Sequence, residues 1–377
     1  MIGAATVLGF ITLLAMPFDL QAQDKTIELY DGLDPVELLA GREVPGDDSL
    51  TVDHAGYRFL FANAANRSVF EKDPARYEPA NGGTCARMGP LTMGVPALFA
   101  VHEGRIYLFG SGDCRKAFTA APARYLASST SALVATPDAR ARGRALAQSL
   151  GEAVGANTLR AATAYQQTSR TERSGPNGLV ISEERLLVRW PADLRLERDL
   201  PFGTVISATS GADAFSVLMR KAGAPIDDTR AIPARAALAA ALRERAGLAV
   251  LSVIKAFVSP GADVVATDVP PGADPSLAYA RLRHAGTDVT LGLDKSTSRP
   301  RVIVYRGRAS DGAYALITLG LDEYRQTSGM WLPHVVTGTA DGIADPALSL
   351  RITGWQLDPV ISNETFSRPT VTAVPKQ

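Results

Sequence analysis

Cysteine and histidine are scarce in this chain, which has two cysteines and four histidines in 377 residues. The histidines (His54, His102, His284 and His334) form no His-x-x-x-His pair, so a zinc hydrolase of that type is not indicated. No Cys-x-x-Cys occurs, which argues against a thioredoxin-type dithiol and a zinc knuckle. A phosphate-binding glycine loop is missing too, and Gly110-Ser-Gly112 lacks the spacing of a serine-hydrolase nucleophile. With no catalytic constellation in the sequence, we expect a non-enzymatic protein.

Net charge is also absent, since Lys plus Arg and Asp plus Glu number 39 each. A neutral chain gives no electrostatic reason to expect nucleic acid or an anionic membrane surface as a partner. The length predicts two or three domains.

Residues 2–16 form an unbroken run of apolar and small side chains. The run is shorter than the ~20 residues of a comfortable transmembrane helix, and Ala22 offers a small residue at a cleavable position. We therefore predict a signal peptide over 1–22, with an uncleaved membrane anchor as the alternative. We expect the mature protein to be periplasmic or secreted, with peripheral membrane contact or none.

A repeat dominates the chain downstream. The segments 54–77 and 102–125 match without a gap at a spacing of 48 residues (102 − 54), and such self-similarity is sought first in any sequence. The matched pairs are His54/His102, Gly56/Gly104, Leu60/Leu108, Phe61/Phe109, Phe70/Phe118, Pro74/Pro122, Arg76/Arg124 and Tyr77/Tyr125.

Each copy has the same order of signals. A glycine turn precedes a short aromatic and aliphatic strand, and a helical turn follows, centred on Phe70 or Phe118. The segment Pro-Ala-Arg-Tyr then ends the unit, because a proline disfavours helix at the residue before it. We expect the two units to adopt one conformation and to bury their apolar faces on each other.

These motifs resemble the YHS-domain family over residues 26–127. The resemblance is carried by Tyr107–Phe118 with Pro122–Tyr125, by Asp73–Tyr77 with Gly82–Ala86, and by Asp34–Leu38. It implies a small α+β module. Related metal-handling members carry two cysteines in a Phe-Cys-Ser-x-x-Cys pattern. Here Gly110 stands at the first of those positions, Cys114 at the second, and Asn66 matches Cys114 in the upstream unit.

Cys85 and Cys114 are the sharpest candidate site residues. In an oxidising compartment, two cysteines in one small module favour a disulfide. They could also be buried thiols that act as small apolar residues. A third interpretation is a soft-metal site, for copper or zinc, that uses both thiolates.

The remaining chain is rich in short strands. A small, polar stretch at 128–136 predicts a linker, and an apolar stripe predicts a helix over 138–154. Further helices are predicted at 233–246 and 248–258. The predicted strands are 163–171, 180–190, 194–198, 278–284, 289–293, 301–305, 314–321, 331–337 and 348–357.

The order of these elements over 137–370 resembles the periplasmic lipoprotein-carrier (LolA-like) fold. The resemblance is carried by Gly155–Leu159, Pro191–Glu197, Leu291–Tyr305, Gly329–Pro333 and Asn363–Phe366. It implies a curved antiparallel sheet, or half-barrel, whose concave side is covered by helices around an apolar cavity. The predicted fold is therefore α+β, with a YHS-like module of two similar units followed by this half-barrel.

Two functions remain open from the sequence. The first is an exported bacterial binding protein for an apolar small molecule or lipid, without catalysis. The second is a metal-handling or redox protein that acts through Cys85 and Cys114. Trp190, Trp331 and Trp355 are expected in the core rather than in a ligand cage.

Overall fold

The computed structural model describes residues 26–127, 135–175, 178–221, 226–227, 232–362 and 364–369. The predicted signal peptide at 1–22 lies outside the described residues, as does 128–134, most of the predicted linker. Within the described ranges no helix has both the length and the apolar character needed to cross a membrane.

The N-terminal module, residues 26–127, contains two small sheets and three short helices. Its elements are β1 (Ile27–Glu28), α1 (Pro35–Leu39), β2 (Asp47–His54), β3 (Tyr57–Phe61), α2 (Ala64–Lys72), β4 (Thr84–Cys85), β5 (Gly89–Met93), β6 (Val95–His102), β7 (Arg105–Phe109) and α3 (Gly112–Ala120). The strand orders are β1-β3-β2 and β5-β4-β7-β6. Strand β3 of the first sheet and both inner strands of the second, β4 and β7, each pair with one parallel and one antiparallel neighbour.

The predicted likeness of the two units is confirmed. Strand β3, helix α2 and the turn Pro74–Arg76 recur 48 residues later as β7, α3 and Pro122–Arg124. Asn63 caps α2 and Ser111 caps α3, each with its side-chain oxygen on a backbone N–H of the first turn. Phe70 and Phe118 are both fully buried.

Aromatic rings fill the core of each unit. Phe70 lies 4.6 Å from Phe59 and 5.1 Å from Phe61, measured between ring centroids. Phe118 lies 5.0 Å from Tyr107 and 5.2 Å from Phe109. Such tilted ring pairs stabilise a core beyond the burial of their area.

The C-terminal half-barrel begins at α4 and ends at β23. Its elements are α4 (Pro137–Val154), α5 (Ala156–Ala161), β8 (Ala164–Gly175), β9 (Gly178–Arg189), β10 (Asp193–Leu200), β11 (Gly203–Ser210), β12 (Asp213–Arg220), β13 (Ile226–Asp227), α6 (Ile232–Leu248), α7 (Val250–Val258), β14 (Val265–Thr267), β15 (Leu277–His284), β16 (Thr287–Asp294), β17 (Pro300–Arg308), β18 (Tyr314–Asp322), β19 (Arg325–Thr327), β20 (Met330–Leu332), β21 (Val335–Ala340), β22 (Ile343–Ala344) and β23 (Leu350–Leu357).

One large, curved antiparallel sheet carries this half. It has fourteen strands in the order β13-β12-β11-β10-β9-β8-β23-β21-β18-β17-β16-β15-β14, with β22 paired to β21. Within the described residues, the first and last strands of this order do not pair with each other, so the sheet is open there. The predicted antiparallel sheet of many short strands is thereby confirmed.

Some boundaries differ from the prediction. The single strand predicted over 331–337 is wrong, because Pro333 and His334 separate β20 from β21. Strands β11 and β12 were not predicted. Ser207, Ala208 and Thr209 of β11 are all buried, so the polar and apolar alternation that marks a half-exposed strand is lost there.

Helices α6 and α7 lie on one side of the sheet, as predicted. Their buried residues and those of β9, β10 and β15–β18 form a single apolar cluster. Helix α4 closes the β14 edge so tightly that a β-carbon on Gly143 would stand 2.1 Å from the carbonyl oxygen of Val264. The side of the sheet that faces α6 and α7 is called the inner face below.

The opposite face is not wholly polar. Ala208, Phe215 and Val217 form a small apolar cluster there. The segment 364–369 crosses the same face, where the guanidinium of Arg189 lies 4.7 Å from the ring centre of Phe366.

The two halves of the chain are joined by polar contacts around Arg87. Arg87 Nε donates to the Asp311 carbonyl at 3.1 Å, and Arg308 Nη1 donates to the Arg87 carbonyl at 3.0 Å. Helix α6 also packs against β5 and the turn Ala80–Gly83. Helix α6 is therefore held between the sheet and the N-terminal module.

Candidate functional site

The inner face carries two kinds of side chain in neighbouring rows. Tyr165, Val188 and Leu194 stand opposite one another across β8, β9 and β10, and Gln167, Leu186 and Leu196 form the next row. All six are buried, and all except Gln167 belong to the cluster shared with α6 and α7. This part of the face is suited to an apolar chain.

Polar residues follow the apolar rows along the same three strands. Thr171 and Ser182 join their hydroxyls at 2.6 Å, and Ser169 stands opposite Glu184. Ser207 on β11 and Ser216 on β12 form a similar hydroxyl pair at 2.9 Å. Side chains of a strand alternate between the two faces, so these rows lie on the same face as Leu186. Buried polar groups are the informative exception in a protein interior.

Glu184 is the charged centre of this polar patch. Its carboxylate lies 3.1 Å from Arg198 Nε on β10 and 3.4 Å from Arg245 Nη2 on helix α6. The Glu184 side chain is only 8% exposed, so its ion pairs are weakly screened by water. The pair with Arg245 connects the helix layer directly to the sheet.

Tyr165 lies at the apolar end of the inner face between two tryptophans. Its ring centre is 5.1 Å from that of Trp190 and 6.0 Å from that of Trp355. Among the described residues its hydroxyl has no hydrogen-bond partner of acceptable geometry. Burial raises the pKa of Tyr165, and the nearby Ser252 and Arg245 offset this only in part.

The tryptophans themselves have structural partners. Trp190 Nε1 donates to Ser252 Oγ at 3.0 Å, and Trp355 Nε1 donates to the Pro333 carbonyl at 3.0 Å. Trp331 is half-buried and carries the Arg299 guanidinium 3.9 Å from its ring centre. The three do not form a common cage.

The predicted apolar cavity between sheet and helices is not seen in the described part of the chain. Val188 and Leu194 of the sheet and Leu242, Val253 and Ile254 of the helices have no exposed surface. No water-sized space therefore touches these side chains, so the sheet and the helices pack together without a cavity at these positions.

Two clefts lie elsewhere. An open cleft of about 770 Å³ runs between α4, α5 and the end of α7, and it is lined by both polar and apolar groups. A smaller one of about 240 Å³ lies over charged residues of β8, β9 and β10, such as Arg170 and Glu197. Neither has the apolar lining that lipid pockets show.

Both cysteines are buried free thiols, so the structure does not contain the predicted disulfide. Cys85 and Cys114 belong to one apolar cluster with Phe109, Phe118 and Tyr125. That corresponds to the interpretation of buried thiols in the core. In the described ranges no three metal-ligating side chains stand together, so copper or zinc here would have the two thiolates as ligands, and its binding stays a prediction.

Each of the four histidines has a contact within the protein. His54 Nε2 contacts Glu78 Oε1 at 2.9 Å, and His102 stacks edge-on against Phe118 at 5.9 Å. His284 contacts the Gly247 carbonyl, and burial lowers its pKa. His334 Nδ1 contacts the Ile352 carbonyl. Among the described residues, the other ring nitrogen of His334, Nε2, is buried without a hydrogen-bond partner.

No protein-family model matches this chain, and no curated protein matches it significantly. Among the solved structures that are similar to this chain, three each match 60% of it and are themselves covered to 97%. They are an outer membrane lipoprotein-sorting protein domain from Vibrio parahaemolyticus (12% identity, TM-score 0.36), a DUF1329 family protein from Desulfovibrio piger (9%, 0.36) and a LolA superfamily protein from Nitrosomonas europaea (11%, 0.37).

Proposed function

We propose that this chain is an exported bacterial binding protein, without catalytic activity, whose half-barrel takes up an amphiphile such as a lipid. The observation that carries the proposal is the inner face, where buried apolar rows border a buried polar patch. Burying the Glu184 carboxylate and the hydroxyl pairs beside it costs free energy, so a core that serves packing alone is expected to be apolar there. An amphiphile matches both parts, with its tail along Leu186 and its head at Glu184.

Access requires a covering helix to move, and the composition of the two helices favours α6 over α7. Seven of its 17 residues are alanine, and an alanine buries little apolar area. Helix α7, in contrast, buries Leu251, Val253, Ile254 and Phe257. We therefore propose that α6 leaves the sheet and that the ligand tail takes its place.

The N-terminal module, which we propose to be YHS-like, would then act on the same helix. It contacts α6 through β5 and the turn Ala80–Gly83, so the module supports the closed form. Export is part of the proposal, and cell fractionation tests it. The protein in the periplasmic or extracellular fraction supports export, and its retention in the cytoplasm would reject it.

The binding proposal is tested by titrating the full chain with an apolar fluorescent naphthylamine. Leu186 and Leu187 are neighbours of nearly equal burial that point to opposite faces. Leu186→Ala and Leu187→Ala should lose similar stability, whereas only Leu186→Ala weakens probe binding, by roughly tenfold, because it removes apolar contact on the inner face. Equal probe affinity in both variants, or no binding by the unmodified chain, would reject the proposed site.

A second pair of variants tests the role of α6. Glu184→Gln weakens the link to Arg245 on α6, whereas Glu183→Gln changes an exposed charge on the other face. If the ligand competes with α6, Glu184→Gln should raise probe affinity about fivefold, since ~1 kcal/mol less stability of the closed form shifts the equilibrium by that much. Glu183→Gln should leave the affinity unchanged. Lower affinity in Glu184→Gln would show that α6 need not move.

A further inference from the structure

The two cysteines occupy positions that the first unit uses for a pair of side chains in contact. Cys114 matches Asn66 by the repeat itself. Cys85 matches Asp34, because the hydrogen bond from Gly94 N to the Gly83 carbonyl recurs as that from Gly46 N to the Gly32 carbonyl. Gly83 and Gly32 lie two residues before Cys85 and Asp34, and both have a positive φ, of 78° and 75°.

In the first unit these two positions touch. Asn66 Nδ2 donates to Asp34 Oδ2 at 2.7 Å. The other oxygen, Asp34 Oδ1, accepts the backbone N–H of Glu37 at 3.3 Å. Asp34 is fully buried, so its side chain has one defined direction, toward α2.

In the second unit the hydrogen bonds around both cysteines keep this pattern. Cys85 Sγ accepts the backbone N–H of Met88 at 3.4 Å, as Asp34 accepts that of Glu37. Cys114 donates its backbone N–H to the cap Ser111, as Asn66 does to Asn63. Two thiols therefore stand where the first unit places two side chains in contact, and they share one apolar cluster.

We propose that Cys85 and Cys114 form a redox pair that closes to an intramolecular disulfide by exchange with a small disulfide such as oxidised glutathione. The thiolate of Cys114, the less buried of the two, attacks one glutathione sulfur and expels the other glutathione as a thiolate. The thiolate of Cys85 then attacks the Cys114 sulfur and releases the second glutathione. The two protein thiols lose two electrons and two protons, and one glutathione disulfide becomes two thiols.

The experiment equilibrates the full chain in glutathione buffers of rising oxidised fraction, traps free thiols with a maleimide and measures intact mass. The pair predicts that both thiols disappear together, without a lasting glutathione adduct. Cys85→Ser should leave Cys114 as a mixed disulfide with glutathione. Cys114→Ser should leave Cys85 free, since it is fully buried.

A third variant keeps the test decisive if a single substitution impairs folding. Asp34→Cys with Asn66→Cys, made in the Cys85→Ser, Cys114→Ser background, should form a disulfide at the equivalent place in the first unit. Two thiols that stay free, or that take up one glutathione each, in the folded unmodified chain would overturn the proposal. Bound copper or zinc that survives in the oxidised buffers would overturn it as well.

Discussion

The two units of the N-terminal module share a backbone but bury different chemistry at one pair of positions. The first unit places Asp34 and Asn66 there, in contact at 2.7 Å, and the second places Cys85 and Cys114. The turn glycines, the ring clusters and the closing Pro-Ala-Arg-Tyr recur in both. The repeated residues therefore specify the backbone, while the pair can change its chemistry without altering the fold.

The half-barrel differs from both units in how it treats buried polar groups. In the first unit, the buried Asp34 carboxylate is satisfied by three backbone N–H groups and Asn66, which is a structural arrangement. On the inner face, the buried Glu184 carboxylate is instead paired with side chains of two other elements, Arg198 on β10 and Arg245 on α6, beside an apolar surface. This contrast is why we assign ligand binding to the half-barrel and redox chemistry to the second unit.

The largest expected effect concerns the central ring of each unit. Phe70→Ala and Phe118→Ala should each lower the free energy of unfolding by about 3–5 kcal/mol, because each side chain is fully buried among other rings. Urea denaturation measures both. The control Val69→Ala, on an exposed position of α2, should stay within ~0.5 kcal/mol. A loss under about 1 kcal/mol at one phenylalanine alone would break the equivalence of the units.

A smaller loss of stability is expected when the Asp34–Asn66 pair or the Cys85–Cys114 pair loses one member. Asn66→Ala removes a donor from the buried Asp34 carboxylate and should cost about 2–3 kcal/mol. Cys114→Ala removes only a small apolar group and should cost about 1 kcal/mol. Both are measured by urea denaturation under reducing conditions. The opposite order would show that the second unit depends more on its pair than the first.

The next loss of stability is expected at Gly46 and Gly94, two glycines that the repeat matches. A β-carbon on Gly46 would stand 2.4 Å from Leu60 Cβ, and one on Gly94 would stand 2.4 Å from Leu108 Cβ. Gly46→Ala and Gly94→Ala should therefore each cost about 1–3 kcal/mol through overpacking. Gly112→Ala, where a β-carbon meets nothing within 4 Å, should be nearly neutral in thermal denaturation. Unequal losses at 46 and 94 would mean that the units differ in backbone spacing.

The smallest effect concerns the two histidines. Glu78→Gln removes a partly buried contact with His54 at 2.9 Å and should cost about 0.5 kcal/mol. Glu103→Gln alters a mostly exposed contact with His102 at 3.7 Å. No measurable decrease in the free energy of unfolding is therefore expected, even at low ionic strength. A clear loss in Glu103→Gln alone would reverse this part of the comparison.

Much of the fold could be predicted because its signals are local. The repeat fixed the likeness of the units, and alternation located most strands of the sheet. Strand β11 was not predicted because its small buried residues, Ser207 to Thr209, do not show the alternation of polar and apolar side chains. The sequence also contains a signal for the orientation of Cys85. Gly83 precedes Cys85 by two residues, just as Gly32 precedes Asp34, which indicates that the two positions match.

The inner face could not be predicted, for a physical reason. Glu184 becomes a neighbour of Ser169 and Arg198 only through strand register, and of Arg245 only through the placement of α6. Neither leaves a pattern in a single segment of sequence. The closed packing of α6 against the sheet likewise depends on side chains from several distant strands.

Native mass spectrometry of the full-length chain, purified from the periplasm, tests the central claim most directly. The account predicts one added mass, that of an amphiphile, which organic solvent releases. The added mass should diminish in Leu186→Ala and persist in Leu187→Ala. The proposed binding function would be contradicted if every preparation showed the mass of the chain alone, or that of the chain with only copper or zinc added.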